Sequence, residues 1–125
     1  MTDKQVDRLG NWIDAQRAFR AVEAAPPAEQ RGRAIFERAD VGCVTCHAGA
    51  RLTGPGSHDV GTGGVFQVPT LEGLRYRAPY MHDGCADSLD ARFRYPACGG
   101  GDRHGVTSHL SESELADLTA YLMSR

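Results

Sequence analysis

Two cysteines and a histidine stand together in the run Cys-Val-Thr-Cys-His at positions 43–47, and this run constrains the chain more than any other feature. Two intervening residues allow both sulfur atoms to reach the two vinyl groups along one edge of a porphyrin. The adjacent imidazole can then swing under the iron. The spacing C-x-x-C-H is the attachment signature of c-type haem. We therefore predict one covalent haem c, attached at Cys43 and Cys46, with His47 as the proximal iron ligand.

Two other kinds of site also use closely spaced cysteines. A thioredoxin-like dithiol follows a strand in a βαβ unit, whereas this run follows a predicted helix and precedes a glycine-rich stretch. A zinc site could use Cys43, Cys46 and His47, but neighbouring Cys46 and His47 are awkward co-ligands of one tetrahedral ion. Both alternatives are less favoured than haem attachment.

The aliphatic content of the chain is low for a domain of 125 residues. Leu, Ile, Val and Phe make up roughly 18% of it, below the ~20% under which a highly charged chain stays disordered. The formal net charge is only −2, so we predict a thin core that a bound apolar group completes. With 14 Lys and Arg against 16 Asp and Glu and no basic stripe, nucleic acid is not expected as a partner.

Hydrophobic periodicity predicts an all-α protein with three to four helices and long glycine-rich loops around one haem. The first helix is expected from Thr2 to Val22 and the second from Ala28 to Arg38, with Pro26 and Pro27 between them. Residues 48–67 contain six glycines and predict a long loop, and residues 70–74 could form one helical turn.

The last helix has the clearest signal. Ser111 and Glu114 have capping-box spacing, and Leu115, Leu118 and Leu122 repeat at i, i+3 and i+7.

We expect a linker helix within residues 1–26 and a mono-haem domain over residues 27–125. No apolar run approaches the ~20 residues that a membrane helix needs, and residues 1–10 contain no apolar segment typical of a signal peptide. Haem is joined to C-x-x-C-H after export. The expected location is therefore periplasmic or otherwise extracytoplasmic, in a natural chain that begins earlier, with the first helix leading from an upstream domain.

From Gln30 to Ser124 the chain resembles the C-terminal haem domain of bacterial di-haem cytochrome c peroxidases. The resemblance rests on four ordered blocks besides the haem motif: Gly-Arg-Ala-Ile-Phe at 32–36, Val-Pro-Thr-Leu at 68–71, Ala-Pro-Tyr-Met-His-Asp-Gly at 78–84 and Tyr-Leu at 121–122. It implies a cytochrome c fold in which Gly32 and Phe36 meet Tyr121 where the helix before the haem motif crosses the last helix.

The chain departs from that family in two respects. It has one C-x-x-C-H motif where di-haem peroxidases have two, so a peroxidase acting alone is not expected. The family's high-potential haem takes a methionine beyond the His-Asp-Gly block as its sixth ligand, but residues 85–110 contain no methionine.

Several residues compete for the sixth position on the iron. His104 precedes the last helix, close to the family's methionine if the Cys85 to Cys98 segment is an insertion. Met81 is the alternative, although the resemblance makes it a packing residue. Five-coordinate iron is a further possibility, while the remaining candidates, His58 and His82, have little support.

Cys85 and Cys98 remain after haem attachment has used the other two cysteines. In an oxidising compartment this pair is predicted to form a disulfide, although two buried free thiols are the alternative. Arg75 and Arg77 are candidates to neutralise the haem propionates.

The residues favour an electron carrier that exchanges electrons with redox partner proteins. The principal alternative is a peroxidase-like module that needs a second haem on a partner chain or domain. A haem-based ligand sensor is a third interpretation.

Overall fold

The computed structural model describes residues 2–16 and 26–125. These residues form four α-helices and one two-stranded antiparallel sheet. In chain order the elements are α1 (Asp3–Asp14), α2 (Pro26–Phe36), β1 (Ser57–Asp59), β2 (Val65–Gln67), α3 (Leu89–Arg94) and α4 (Glu112–Met123). Three short 3-10 turns lie at Cys43–Thr45, Leu74–Tyr76 and Pro96–Cys98. The predicted helical architecture is confirmed.

The sheet and α3 were not predicted. Strands β1 and β2 pair in the register Ser57 with Gln67 and Asp59 with Val65, and three residues are too few for alternation to show in a sequence. The turn that joins them contains Gly61 and Gly63, both with positive φ. The helical turn predicted for residues 70–74 falls slightly later, at Leu74–Tyr76.

Helices α2 and α4 cross through a glycine. A Cβ built on Gly32 would lie 1.9 Å from the carbonyl oxygen of Asp117 and 2.8 Å from the Cβ of Tyr121, so only glycine permits this approach. Beside it, the rings of Phe36 and Tyr121 have centroids 5.3 Å apart and are tilted by 53°. Arg31 donates two hydrogen bonds to the Asp117 carboxylate. The predicted contact of Gly32 and Phe36 with Tyr121 is confirmed.

The helix boundaries differ from the predictions at several ends. Helix α1 ends at Asp14, and its predicted continuation over residues 17–22 lies outside the described residues. None of the side chains of α1 is buried. Helix α2 begins at Pro26 and not at Ala28, because proline suits the first turn of a helix. The capping box of Ser111 and Glu114 is confirmed at the start of α4.

The core lies between the α2–α4 pair and the long segment that connects them. Ile35, Phe36, Leu118 and Leu122 come from the two helices, and the connecting segment contributes Val41, Leu71, Tyr80, Ala86, Leu89 and Phe93. Within the part of the chain that the structure describes, no helix is long and apolar enough to cross a membrane.

Candidate haem-binding site

The C-x-x-C-H run begins with a tight 3-10 turn at Cys43–Thr45, in the segment that follows α2. Gly42 precedes the 3-10 turn that begins at Cys43, and its φ of +77° is a left-handed conformation that glycine adopts without strain. Cys43 and Cys46 are half-buried, and neither sulfur takes part in a disulfide. Burial raises the pKa of the Cys43 thiol. The following loop packs onto the run, since a Cβ on Gly54 would lie 2.6 Å from the Cys46 carbonyl oxygen.

The imidazole of His47 is oriented for metal binding through one nitrogen. The side chain is buried, and Nδ1 lies 3.1 Å from the carbonyl oxygen of Leu52. A carbonyl only accepts, so the Nδ1–H donates and the lone pair remains on Nε2. Burial lowers the pKa of His47. A neutral ring with a fixed tautomer is the form in which histidine binds a metal.

His104 faces His47 across the site. The ring centroids lie 6.0 Å apart with 33° between the planes. Two imidazoles that bind one metal ion at ~2 Å from opposite sides have ring centres roughly 6 Å apart. The Nδ1 of His104 is buried and has no hydrogen-bond partner among the described residues. Burial, with the nearby Arg92 charge as a smaller cause, lowers the pKa of His104 to about 3.

The loop that carries His104 lies against the C-x-x-C-H turn. A Cβ on Gly105 would lie 3.7 Å from the Cys43 sulfur and 3.3 Å from the Val41 carbonyl oxygen. On the other side of the loop, Gly99 has φ +81°, and a Cβ there would lie 3.2 Å from the His104 Cβ. The glycines let two irregular segments bring His47 and His104 together.

Met81 reaches the base of the His104 loop, whereas His82 and His58 make other contacts. Met81 is half-buried against the core, and its Cε would lie 3.5 Å from a Cβ on Gly99. His82 stacks on Phe66 with centroids 3.9 Å apart, and His58 is exposed on β1. Of the histidine rings in the described residues, the one that lies near His47 is that of His104.

Sequence reasoning missed Arg92. This residue of α3 is 6% exposed, and its Nη2 donates a hydrogen bond to the His104 carbonyl oxygen. Burial lowers the pKa of Arg92 to about 10, so the guanidinium remains charged at neutral pH. Its position three residues after the apolar Leu89, on one face of a helix, is the signal that could have indicated burial.

The two arginines predicted to neutralise the haem propionates differ in their hydrogen bonding. Arg77 donates hydrogen bonds to the carbonyl oxygens of Thr70 and Glu72. Arg75 stacks on the Tyr76 ring at 4.9 Å, and its Nη1 is buried without a hydrogen-bond partner among the described residues. The Thr62 hydroxyl is likewise buried and unpartnered. Buried polar groups are normally satisfied, so Arg75 and Thr62 retain free capacity for a polar ligand.

Cys85 and Cys98 lie side by side beyond the His104 loop. Their Cα atoms are 5.7 Å apart, within the range that a disulfide spans. Cys98 is buried and immediately precedes Gly99. A covalent link here would tie the segment after Met81 to the base of the His104 loop.

Fold and site together define a haem protein of the cytochrome c class. The chain belongs to the cytochrome c family, whose model, described as Cytochrome c, matches residues 29–125. Family membership indicates covalently bound haem c.

Several characterised proteins are similar to the chain. Hydrazine synthase subunit gamma of Kuenenia stuttgartiensis is 30% identical over 142 residues, covering 76% of this chain and 40% of that protein. The methylamine utilization protein MauG of Methylorubrum extorquens is 32% identical, covering 74% of this chain and 33% of that protein. The cytochrome-c peroxidase IdrP1 of Denitromonas iodatirespirans is 36% identical over 64 residues, covering 47% of this chain and 17% of that protein. These matches confirm the predicted resemblance to peroxidase-type haem domains.

A solved structure shows the same fold. It is that of Kuenenia stuttgartiensis hydrazine synthase pressurized with xenon, with a TM-score of 0.88 and 26% sequence identity. The match covers 100% of this chain and 56% of that chain. The chain thus spans two fifths or less of the curated relatives described above and about half of the matched structure.

Proposed function

We propose that this protein is a mono-haem c-type cytochrome domain that transfers electrons through one covalent haem. Cys43 and Cys46 would form the thioether bonds, His47 would bind the iron on one side and His104 on the other. The observation that carries this proposal is the 6.0 Å separation of the ring centroids of His47, in the C-x-x-C-H motif, and His104.

The donor set fits a haem iron. Both imidazoles are uncharged at neutral pH because burial lowers their pKa values, and a ligating histidine must be neutral. The orphaned Nδ1 of His104 and the orphaned Nη1 of Arg75 are polar atoms for which the polypeptide supplies no partner. A haem would add an iron and two carboxylates to such a site.

When bound, the haem supplies one-electron chemistry at its iron. The residues of the chain hold and orient it. The Leu52 carbonyl fixes the tautomer of His47, and the Val41 and Gly105 segments bring His104 over the Cys43 turn. His47 is buried and His104 is half-buried, so both rings would be partly shielded from water where they hold the iron.

Covalent attachment is tested by denaturing electrophoresis with haem staining and by the pyridine haemochrome spectrum. We expect haem to stay on the wild-type chain, and the Cys43→Ala and Cys46→Ala variants to retain less of it. The matched control is the double variant Cys85→Ala/Cys98→Ala, which removes two cysteines from outside the turn and should retain haem. The proposal would be contradicted if the wild-type protein, produced in cells that attach haem c, folded without haem.

A peroxidase-like module is the second candidate. It is favoured by the similarity to MauG and to a cytochrome-c peroxidase. The module would reduce peroxide with electrons from a second haem on a partner domain or chain, and would need an axial position that peroxide can enter. Peroxide consumption with and without an added donor cytochrome distinguishes it from an electron carrier, because the carrier alone shows no turnover.

The domain would act outside the cytoplasm, where haem is joined to C-x-x-C-H. Its partners would be redox proteins and, in a longer chain, an upstream domain. Residues 1–26 would then serve as the linker, in keeping with the absence of buried side chains in α1. Residues 27–125 would form the haem domain itself.

A further inference from the structure

Arg92 carries a buried positive charge at the side of the proposed haem site. Its side chain lies on the inner face of α3 and is 6% exposed. Among residues 2–16 and 26–125 no carboxylate lies within ion-pair distance of its guanidinium. The group donates to the His104 carbonyl oxygen and lies 5.0 Å from the centre of the Phe93 ring. The hydrogen bond places the charge beside the loop that carries His104.

Arg94 on the same helix shows the contrast. It is 41% exposed and forms ion pairs with Asp90 and Glu112. Helix α3 thus presents Arg94 to solvent, where two carboxylates neutralise its charge. It presents Arg92 to the interior, where no carboxylate of the described residues pairs with it. Burying a cation without a counter-charge is unfavourable, and an apolar side chain at position 92 would avoid that cost.

We propose that Arg92 is a positioning residue of the haem site, which holds the backbone of His104 in place and, by its fixed charge, favours the ferrous over the ferric state. The inference rests on the proposed haem attachment and His104 ligation.

The direction of the effect follows from electrostatics. The ferric site carries one more positive charge than the ferrous site. A guanidinium in a medium of low dielectric therefore raises the free energy of the ferric form more than that of the ferrous form. Removing the charge should lower the reduction potential. The hydrogen bond to the His104 carbonyl restrains the loop, so its loss should also make His104 easier to displace.

The experiment compares five holoproteins: wild type, Arg92→Met, Arg92→Gln, Arg92→Lys and the matched control Arg94→Met. The midpoint potential is measured by redox titration, and carbon monoxide binding by the ferrous protein is followed in parallel. We expect Arg92→Met and Arg92→Gln to shift the ferric-to-ferrous equilibrium about tenfold towards ferric iron, equivalent to ~59 mV for one electron. Arg92→Lys retains the charge and should retain most of the potential. Arg94→Met removes an exposed charge and should leave the potential nearly unchanged.

Carbon monoxide should bind faster in Arg92→Met than in wild type. Unchanged potentials in Arg92→Met and Arg92→Gln, with haem retained, would overturn the inference even if both variants are less stable, because a purely structural role moves stability alone. If Arg92→Met fails to fold, Arg92→Gln decides, since it keeps a donor for the His104 carbonyl and removes the charge. The pyridine haemochrome of the wild type is recorded first, so that failure of haem attachment is recognised as failure of the proposed function.

Discussion

The backbone N–H of Val106 donates a hydrogen bond to the carbonyl oxygen of Val41 over 2.9 Å. Val41 lies two residues before Cys43, and Val106 two residues after His104. This single bond therefore joins the two irregular segments that bring His47 and His104 close together. The two histidines are brought together by the packing of loops and not by one regular element. Their assignment as iron ligands can be tested directly by substitution.

Replacing His104 by alanine should open one axial position of the haem. We expect His104→Ala to bind carbon monoxide or cyanide readily, while Met81→Ala keeps a nearly unchanged low-spin spectrum, because Met81 packs against the core. Absorption spectra with and without added ligand measure both. A sulfur-to-iron charge-transfer band in the ferric protein that Met81→Ala abolishes and His104→Ala leaves intact would instead assign the position to Met81.

Adding one methyl group at Gly32 should disrupt the α2–α4 crossing. The new Cβ would lie 1.9 Å from the Asp117 carbonyl oxygen, so the helices must separate, and overpacking of this kind costs ~3 kcal/mol. Denaturant unfolding of Gly32→Ala measures the loss. Gly10→Ala is the matched control, because nothing lies within 4 Å of a Cβ at that helical position. Equal stability of the two variants would show that the crossing relaxes at no cost.

Removing the predicted Cys85–Cys98 link should destabilise the domain. The link closes a loop with a sequence separation of 13 residues, and the chain-entropy model assigns such a loop ~3 kcal/mol. We expect Cys85→Ala/Cys98→Ala to unfold at lower denaturant concentration than the oxidised wild type, and to bind carbon monoxide faster because the base of the His104 loop is less restrained. A wild type whose stability is insensitive to thiol reductants would contradict the link.

Asp40 should contribute to the loss of stability in acid. Hydrogen bonds from Arg38 are the main cause that lowers the pKa of Asp40 to about 2. A carboxyl group whose pKa is lower in the folded state stabilises the fold at pH values above its pKa in the unfolded state, which is ~3.9 for aspartate. This stabilisation disappears as the pH falls towards the pKa in the folded state. Between about pH 4 and pH 2, Asp40→Asn should therefore lose less unfolding free energy than the wild type. Asp14→Asn, in α1, serves as control because Asp14 has no ion pair among the described residues.

Local sequence signals predicted the parts of the fold that depend on neighbours along the chain. The Ser111 and Glu114 spacing located the start of α4, since a capping box involves four consecutive residues. The small residue at Gly32 and the aromatic residues Phe36 and Tyr121 indicated the helix crossing through the family resemblance. The hairpin of β1 and β2 escaped prediction because its strands are too short for a periodic signal.

The sequence by itself determined the haem motif at 43–47, the helical class and the short list of possible iron ligands. Only the tertiary structure decided which candidate faces His47, because that choice depends on contacts such as Val106 with Val41 and Gly105 with Cys43, between segments about sixty residues apart. The burial of Arg92 was decided in the same way. From the sequence alone, an arginine at this position would be expected on the surface. The packing of α3 against the His104 loop instead buries its side chain.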